Sequence, residues 1–169
     1  GACLDEAAPT LVERAQQVGM DPTMNNGSMQ TTLPDIEDAQ SIVPAMLATT
    51  GALLVTANGF EAKNDAIEDV AINLDKAGMP ETLIKFDSDT RAAIKDLDDN
   101  MELQPSIDGN ALPSVRVSDV KEEGVLSLPS GEGKTSLRMQ RAADRAIVLA
   151  HGPLPCPIQV QSVRPTSPQ

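Results

Sequence analysis

The sequence predicts an α+β fold in which about four N-terminal helices pack on a small C-terminal antiparallel sheet. Three observations lead there. Apolar residues recur at three- and four-residue steps through the first hundred positions. After Pro113 the pattern changes to alternation, interrupted by Gly, Pro, Ser and Asp. Aromatic residues are almost absent, with no Trp, no Tyr and only Phe60 and Phe86, so the core must be built from aliphatic side chains. Helices followed by strands suit segregated layers better than a βαβ arrangement. A chain of 169 residues is read as a single domain, 1–169, with a helical region 1–102, a β-rich region 110–163 and a disordered tail 164–169.

The first helix is expected from Asp5 to Val18, with Leu4, Ala8, Leu11, Ala15 and Val18 on one face and Gly19 at the C-terminal cap. Residues Asp21 to Thr32 carry Pro22, Asn25, Asn26 and Gly27 and read as a loop. A second helical region opens near Pro34, with Asp35, Glu37 and Asp38 in its first turn. Pro44 is expected to break or kink it, and Ala45 to Ala57 to continue as an apolar helix stopped by Asn58-Gly59. Ser41 to Phe60 is free of charge, but Pro44, Asn58, two glycines and three threonines dilute it, so it is read as a buried helix rather than a membrane span.

A third helix is expected from Glu61 to Ala77 on the stripe Ile67, Val70, Ala71 and Leu74. A fourth follows Pro80 through Leu83, Phe86, Thr90, Ala93, Leu97 and Met101, unless Ser88 caps a separate helix. Strands are then expected around Val115 and Val117, Val125 to Leu128, Thr135 to Met139, Ile147 to Leu149 and Ile158 to Val163. Between Leu137 and Ala150, Ala142, Ala143 and Ala146 also fit a helix, with strands preferred.

Charge narrows the function. The net charge is −12; residues 1–115 hold 20 acidic and 6 basic side chains, and residues 116–169 hold 5 and 7. Such a chain repels phosphate backbones and anionic lipid, and it lacks the aromatic faces on which nucleic-acid bases stack. Nucleic acid is therefore not an expected partner.

Cys3 and Cys156 near opposite ends fit one disulfide formed in an oxidising, extracytoplasmic compartment (secreted, periplasmic or cell-surface). Two free thiols, or a lipid anchor on Cys3, are the alternatives. The run Gly131-Glu132-Gly133-Lys134-Thr135 ends like a phosphate-binding loop, but Leu128 stands where that pattern needs Gly, so it reads as a hairpin turn. The acids Asp87, Asp89, Asp96, Asp98, Asp99 and Glu102 fail the EF-hand spacing, since Met101 and Ile107 fall at positions six and twelve counted from Asp96. A lone histidine, His151, cannot build a multi-histidine metal site, although with Cys156 or acids it is a conceivable hydrolase base.

Lys134, Arg138, Arg141 and Arg145 form the basic cluster, a candidate contact for an acidic partner or for another copy of the chain. Met20, Met24, Met29, Met46, Met79, Met101 and Met139 would suit an adaptable apolar pocket or fill gaps in the core. No catalytic, cofactor or metal set stands out. The expectation is a non-enzymatic extracytoplasmic structural or interaction domain, such as a subunit of a surface appendage or assembly. A binding module for a small apolar ligand and a hydrolase using His151 are the alternatives.

Overall fold

The computed structural model describes residues 2–25, 27–36 and 38–161. The expected tail 164–169, Val163 and the helix-opening Glu37 lie outside them. The chain folds into two compact units: residues 1–50 with 153–169, and residues 51–152.

The first unit is built on α1 (Ala2–Gln17) and α2 (Ala39–Ala48), with a short hairpin of β1 (Thr23–Asn25) and β2 (Ser28–Gln30) between them in chain order. Ala7, Leu11 and Ala15 of α1 are buried, as are Val43, Met46 and Leu47 of α2, together with Leu154 from the returning segment. Pro44 does not break α2. Its missing N–H costs one helical bond, and burial of the helix's apolar side chains outweighs that loss. Arg14 is fully buried: Nη1 donates to Leu47 O at 3.1 Å and Thr49 O at 2.5 Å, and Nη2 to Thr50 O at 3.1 Å. A cation there also meets the negative end of α2.

The second unit overturns the expected arrangement of four N-terminal helices on a C-terminal sheet. Its strands β3 (Leu53–Ala57), β4 (Phe60–Lys63), β5 (Ile67–Leu74) and β6 (Pro80–Phe86) occupy the stretch expected to be helical. They are followed by α3 (Ser88–Lys95), β7 (Glu102–Ile107), β8 (Asn110–Ala111), β9 (Val115–Arg116), α4 (Val117–Glu123), β10 (Leu126–Pro129) and α5 (Thr135–Ala150). One antiparallel sheet runs β4-β3-β7-β8, with β9 also pairing β7; a second runs β10-β6-β5.

The reasons are local. Asn58-Gly59 links the paired residues Ala57 and Phe60 as a two-residue hairpin turn, with φ +78° at Gly59, and does not stop a helix. Asp108-Gly109 does the same between Ile107 and Asn110, both residues taking positive φ. In β6 the buried residues are Pro80, Thr82, Ile84 and Phe86, a period of two. The expected fourth helix therefore exists only as α3, capped by the Asp87 carboxylate, which accepts from Thr90 N–H at 2.8 Å. The strands expected at Thr135–Met139 and Ile147–Leu149 are instead the single helix α5. Ile158 and Val160 lie in irregular backbone.

β5 misled for a specific reason. Ile67 pairs with Phe86 and Asp69 with Lys85, leaving Glu68 as an extra residue in a bulge. The bulge moves the inward face from Ile67 to Val70, Ile72 and Leu74, opposite Ile84, Thr82 and Pro80. Ile67 and Val70 thus share a face although three residues apart, which imitates a helix. The core of this unit joins both sheets through Leu53, Val55, Ile84, Phe86, Leu103 and Leu126.

Candidate functional site

The expected disulfide is present: Cys3 and Cys156 are bridged, their Cα atoms 6.0 Å apart and 153 residues apart in sequence. The bridge consumes the sulfur that a lipid anchor on Cys3 would need, and the thiol that would have acted beside His151. His151 itself is half-buried at the C-terminal end of α5, where its N–H donates to Ile147 O at 3.3 Å. Among the described residues no group of three or more His, Cys, Asp or Glu side chains is arranged to hold a metal. Asp99 of the acidic run pairs with Lys121 at 2.7 Å, and Asp87 caps α3. The Thr90 contacts, and after them the Arg91 charge, hold the Asp87 carboxyl below its ordinary pKa.

The glycine loop is not a hairpin turn. It connects strand β10 to helix α5, with Gly131 at φ +80° and Gly133 at φ +117°. Arg141 closes it from inside: Nη1 donates to Ser130 O at 3.2 Å and makes a second, very short bond to Glu132 O. A Cβ on Gly131 would come within 3.3 Å of that nitrogen. Arg145 donates to Pro129 O at 2.7 Å, and Arg138 to Met79 Sδ at 3.0 Å. These arginines share a helical stripe with buried Ala142, Val148 and Leu149, so they tie α5 to its sheet, whereas Lys134 is exposed. Burial, then the neighbouring Arg141 charge, pulls the Arg145 pKa below its ordinary value. Thr82 Oγ1 donates to Ala142 O at 3.1 Å and fixes the same helix over β6.

The first unit contains a cavity of about 1270 Å³, walled by Leu4 and Leu11 of α1, Met29 of β2, Leu47 of α2, and Ile158 and Val160 of the returning segment. Of the seven methionines only Met29 lines it, while Met20 and Met46 are buried in the core of the same unit. Sequence periodicity could not find this cavity, because its walls come from three separate stretches of chain.

Sequence reading also missed the outer edge of β5. Among the described residues this strand pairs only with β6, and its second half exposes Ile72 and Leu74, 44% and 54% accessible. Leu137 and Met139 of α5, the helix that packs on this hairpin, are 44% and 40% accessible. Among the described residues no helix is long and apolar enough to cross a membrane.

No protein-family model and no curated protein sequence matches the chain. Solved structures do match in fold. One, described as "Structure and function of a membrane component SecDF that enhances protein export", aligns with 98% of this chain and 94% of its own at a TM-score of 0.67 and 15% identity. Another, "Crystal structure of SecDF in Super-membrane-facing form", aligns with 95% of this chain at a TM-score of 0.70 and 14% identity, this chain spanning 28% of it.

Proposed function

We propose that this chain is a non-enzymatic interaction domain working in a protein-export assembly on the extracytoplasmic side of a membrane. One observation carries the reading: the fold correspondence extends over nearly the whole of both chains in the first comparison, so it covers both units and not one common motif. The Cys3–Cys156 bridge supports the compartment, because such bridges persist where conditions are oxidising. The test is export of a reporter protein in cells with and without the chain. A several-fold slower export in its absence is expected; an unchanged rate would remove the reading.

Within this reading, Lys134, Arg138, Arg141 and Arg145 remain the proposed contact for an acidic segment of a partner. The cavity favours a second reading, an apolar small-molecule module. Apolar side chains such as Leu4, Leu11 and Ile158 share its wall with polar ones such as Thr31, Gln40 and Gln159, a mixture that would hold a ligand by both kinds of contact. Native mass spectrometry of the purified chain tests it: a retained small molecule supports it, and a bare protein mass counts against it.

A further inference from the structure

We propose that the outer edge of β5, from Val70 to Leu74, accepts an extended apolar polypeptide segment flanked by basic residues, which adds to the sheet as a fourth strand. An edge strand carries a row of unpaired N–H and C=O groups, and proteins usually guard such edges with charge, bulges or coverage. Here the guard is confined to one half. The bulge at Glu68, the Glu68–Lys85 ion pair at 3.3 Å and the Glu68–Arg91 pair at 4.0 Å cover the start of the strand. Val70, Ala71, Ile72, Asn73 and Leu74 carry no charge, follow regular register against β6, and among the described residues have no strand on their other side; the Val70 N–H is held by the Asp69 carboxylate at 2.9 Å, so the open part of the ladder lies beyond it, towards Ile72 and Leu74.

Beside this open ladder stands exposed apolar surface. Ile72 and Leu74 project on the face that α5 packs against, and Leu137 and Met139 flank Arg138, which reaches Met79 at the end of the same hairpin. A backbone ladder with apolar side-chain contacts beside it is the arrangement by which sheets bind extended peptides. Charge selects the occupant. Asp69, Asp75 and Lys76 border the strand, Glu68 is already paired with Lys85 and Arg91, and it is the whole chain, at −12, that sets the sign. A second copy would bring the same negative charge to the contact, whereas a segment with Lys or Arg at its ends meets complementary charge.

The inference rests on the reading of the chain as an interaction domain, not on protein export. The test uses the full oxidised chain and a fluorescein-labelled peptide, KKVTITVKK, followed by fluorescence anisotropy. Saturable binding is expected, weakened about ten-fold or more by N-methylation of alternate peptide nitrogens, which removes ladder bonds but leaves the side chains in place. Ile72→Lys in the protein, with its circular dichroism unchanged, is expected to weaken binding to a similar degree. Replacing the peptide's lysines by serine should weaken it and flatten its salt dependence. Equal affinity for the N-methylated peptide, or no binding at low salt, overturns the proposal. So does a dimer in sedimentation velocity that Ile72→Lys abolishes, since the edge would then belong to a second copy. Export that depends on the chain while the peptide fails to bind sinks this surface alone; peptide binding without any effect on export sinks the export reading alone.

Discussion

Arg14 places a full positive charge at a site with no solvent exposure, and it is tolerable there because the guanidinium meets backbone oxygens of Leu47, Thr49 and Thr50. Removing it would take this donor from the carbonyls of Leu47 and Thr49, while Thr50 O keeps the Leu154 N–H, and each buried group left unsatisfied costs about 1–3 kcal/mol. Arg14→Leu is therefore expected to destabilise the first unit by about 3 kcal/mol in urea denaturation. Arg14→Lys should recover only part of that, since one ammonium cannot reproduce the planar fork.

Asp144 is the opposite case at the same scale. Burial raises its carboxyl pKa, against the lowering effect of the Gln140 amide at 2.8 Å. The folded form then binds this proton more tightly than the unfolded chain, so the group favours folding at acid pH and loses that effect as pH rises through its folded pKa. Asp144→Asn should match wild type near pH 3 and exceed it in stability at neutral pH. A mutant no more stable than wild type at pH 7 would refute this. Asp87 has the reverse sign. Its depressed folded pKa contributes stability above the usual carboxylate value, lost on acidification, and Asp87→Ala should fray α3 at neutral pH.

At the scale of elements, the bulge in β5 makes an unusual forecast. Because Glu68 is the extra residue, deleting it restores plain alternation between Ile67, Asp69 and Val70 and leaves every later residue facing as before. Deleting Ala71 instead turns Val70 and Ile72 into neighbours and sends the following side chains to the wrong face. The Glu68 deletion should fold with native-like amide dispersion in NMR, losing only exposed ion pairs of small value, while the Ala71 deletion should not. The same element shows why periodicity read a helix here. Ile67, Val70, Ala71 and Leu74 carry a true three-four spacing, but a bulge and a half-exposed edge produce it. In β6 the alternation of Thr82, Ile84 and Phe86 was legible and was overridden by a coincidental three-residue step from Leu83 to Phe86. α1 meets the expected periodicity in part: Leu11 and Ala15 are buried as the spacing predicts, with Ala7 and Arg14 buried in place of Ala8 and Val18.

At the scale of the molecule, residues 51–152 form a compact unit whose core residues all lie between Leu53 and Leu149. A fragment of those residues should fold independently, with a cooperative thermal transition; a fragment without one would show that its core is insufficient. The disulfide closes the other unit, joining Cys3 to Cys156 across 153 residues. Reduction is expected to lower stability by at most about 5 kcal/mol on the chain-entropy account, measured by denaturation with and without a thiol.

Composition and near neighbours in the chain suffice for some features: an aliphatic core, a strongly acidic chain, a helix in the region of α1, and a cysteine pair able to form a bridge. They do not suffice to make residues 53–86 strands, because a strand draws its hydrogen bonds from distant chain. Leu54 pairs with Ser106, and Leu83 with Ser127, and until those partners arrive a helix satisfies the same backbone locally. The cavity wall and the open edge of β5 belong to the folded molecule for the same reason: each exists only where segments far apart in sequence meet, or fail to meet, in space.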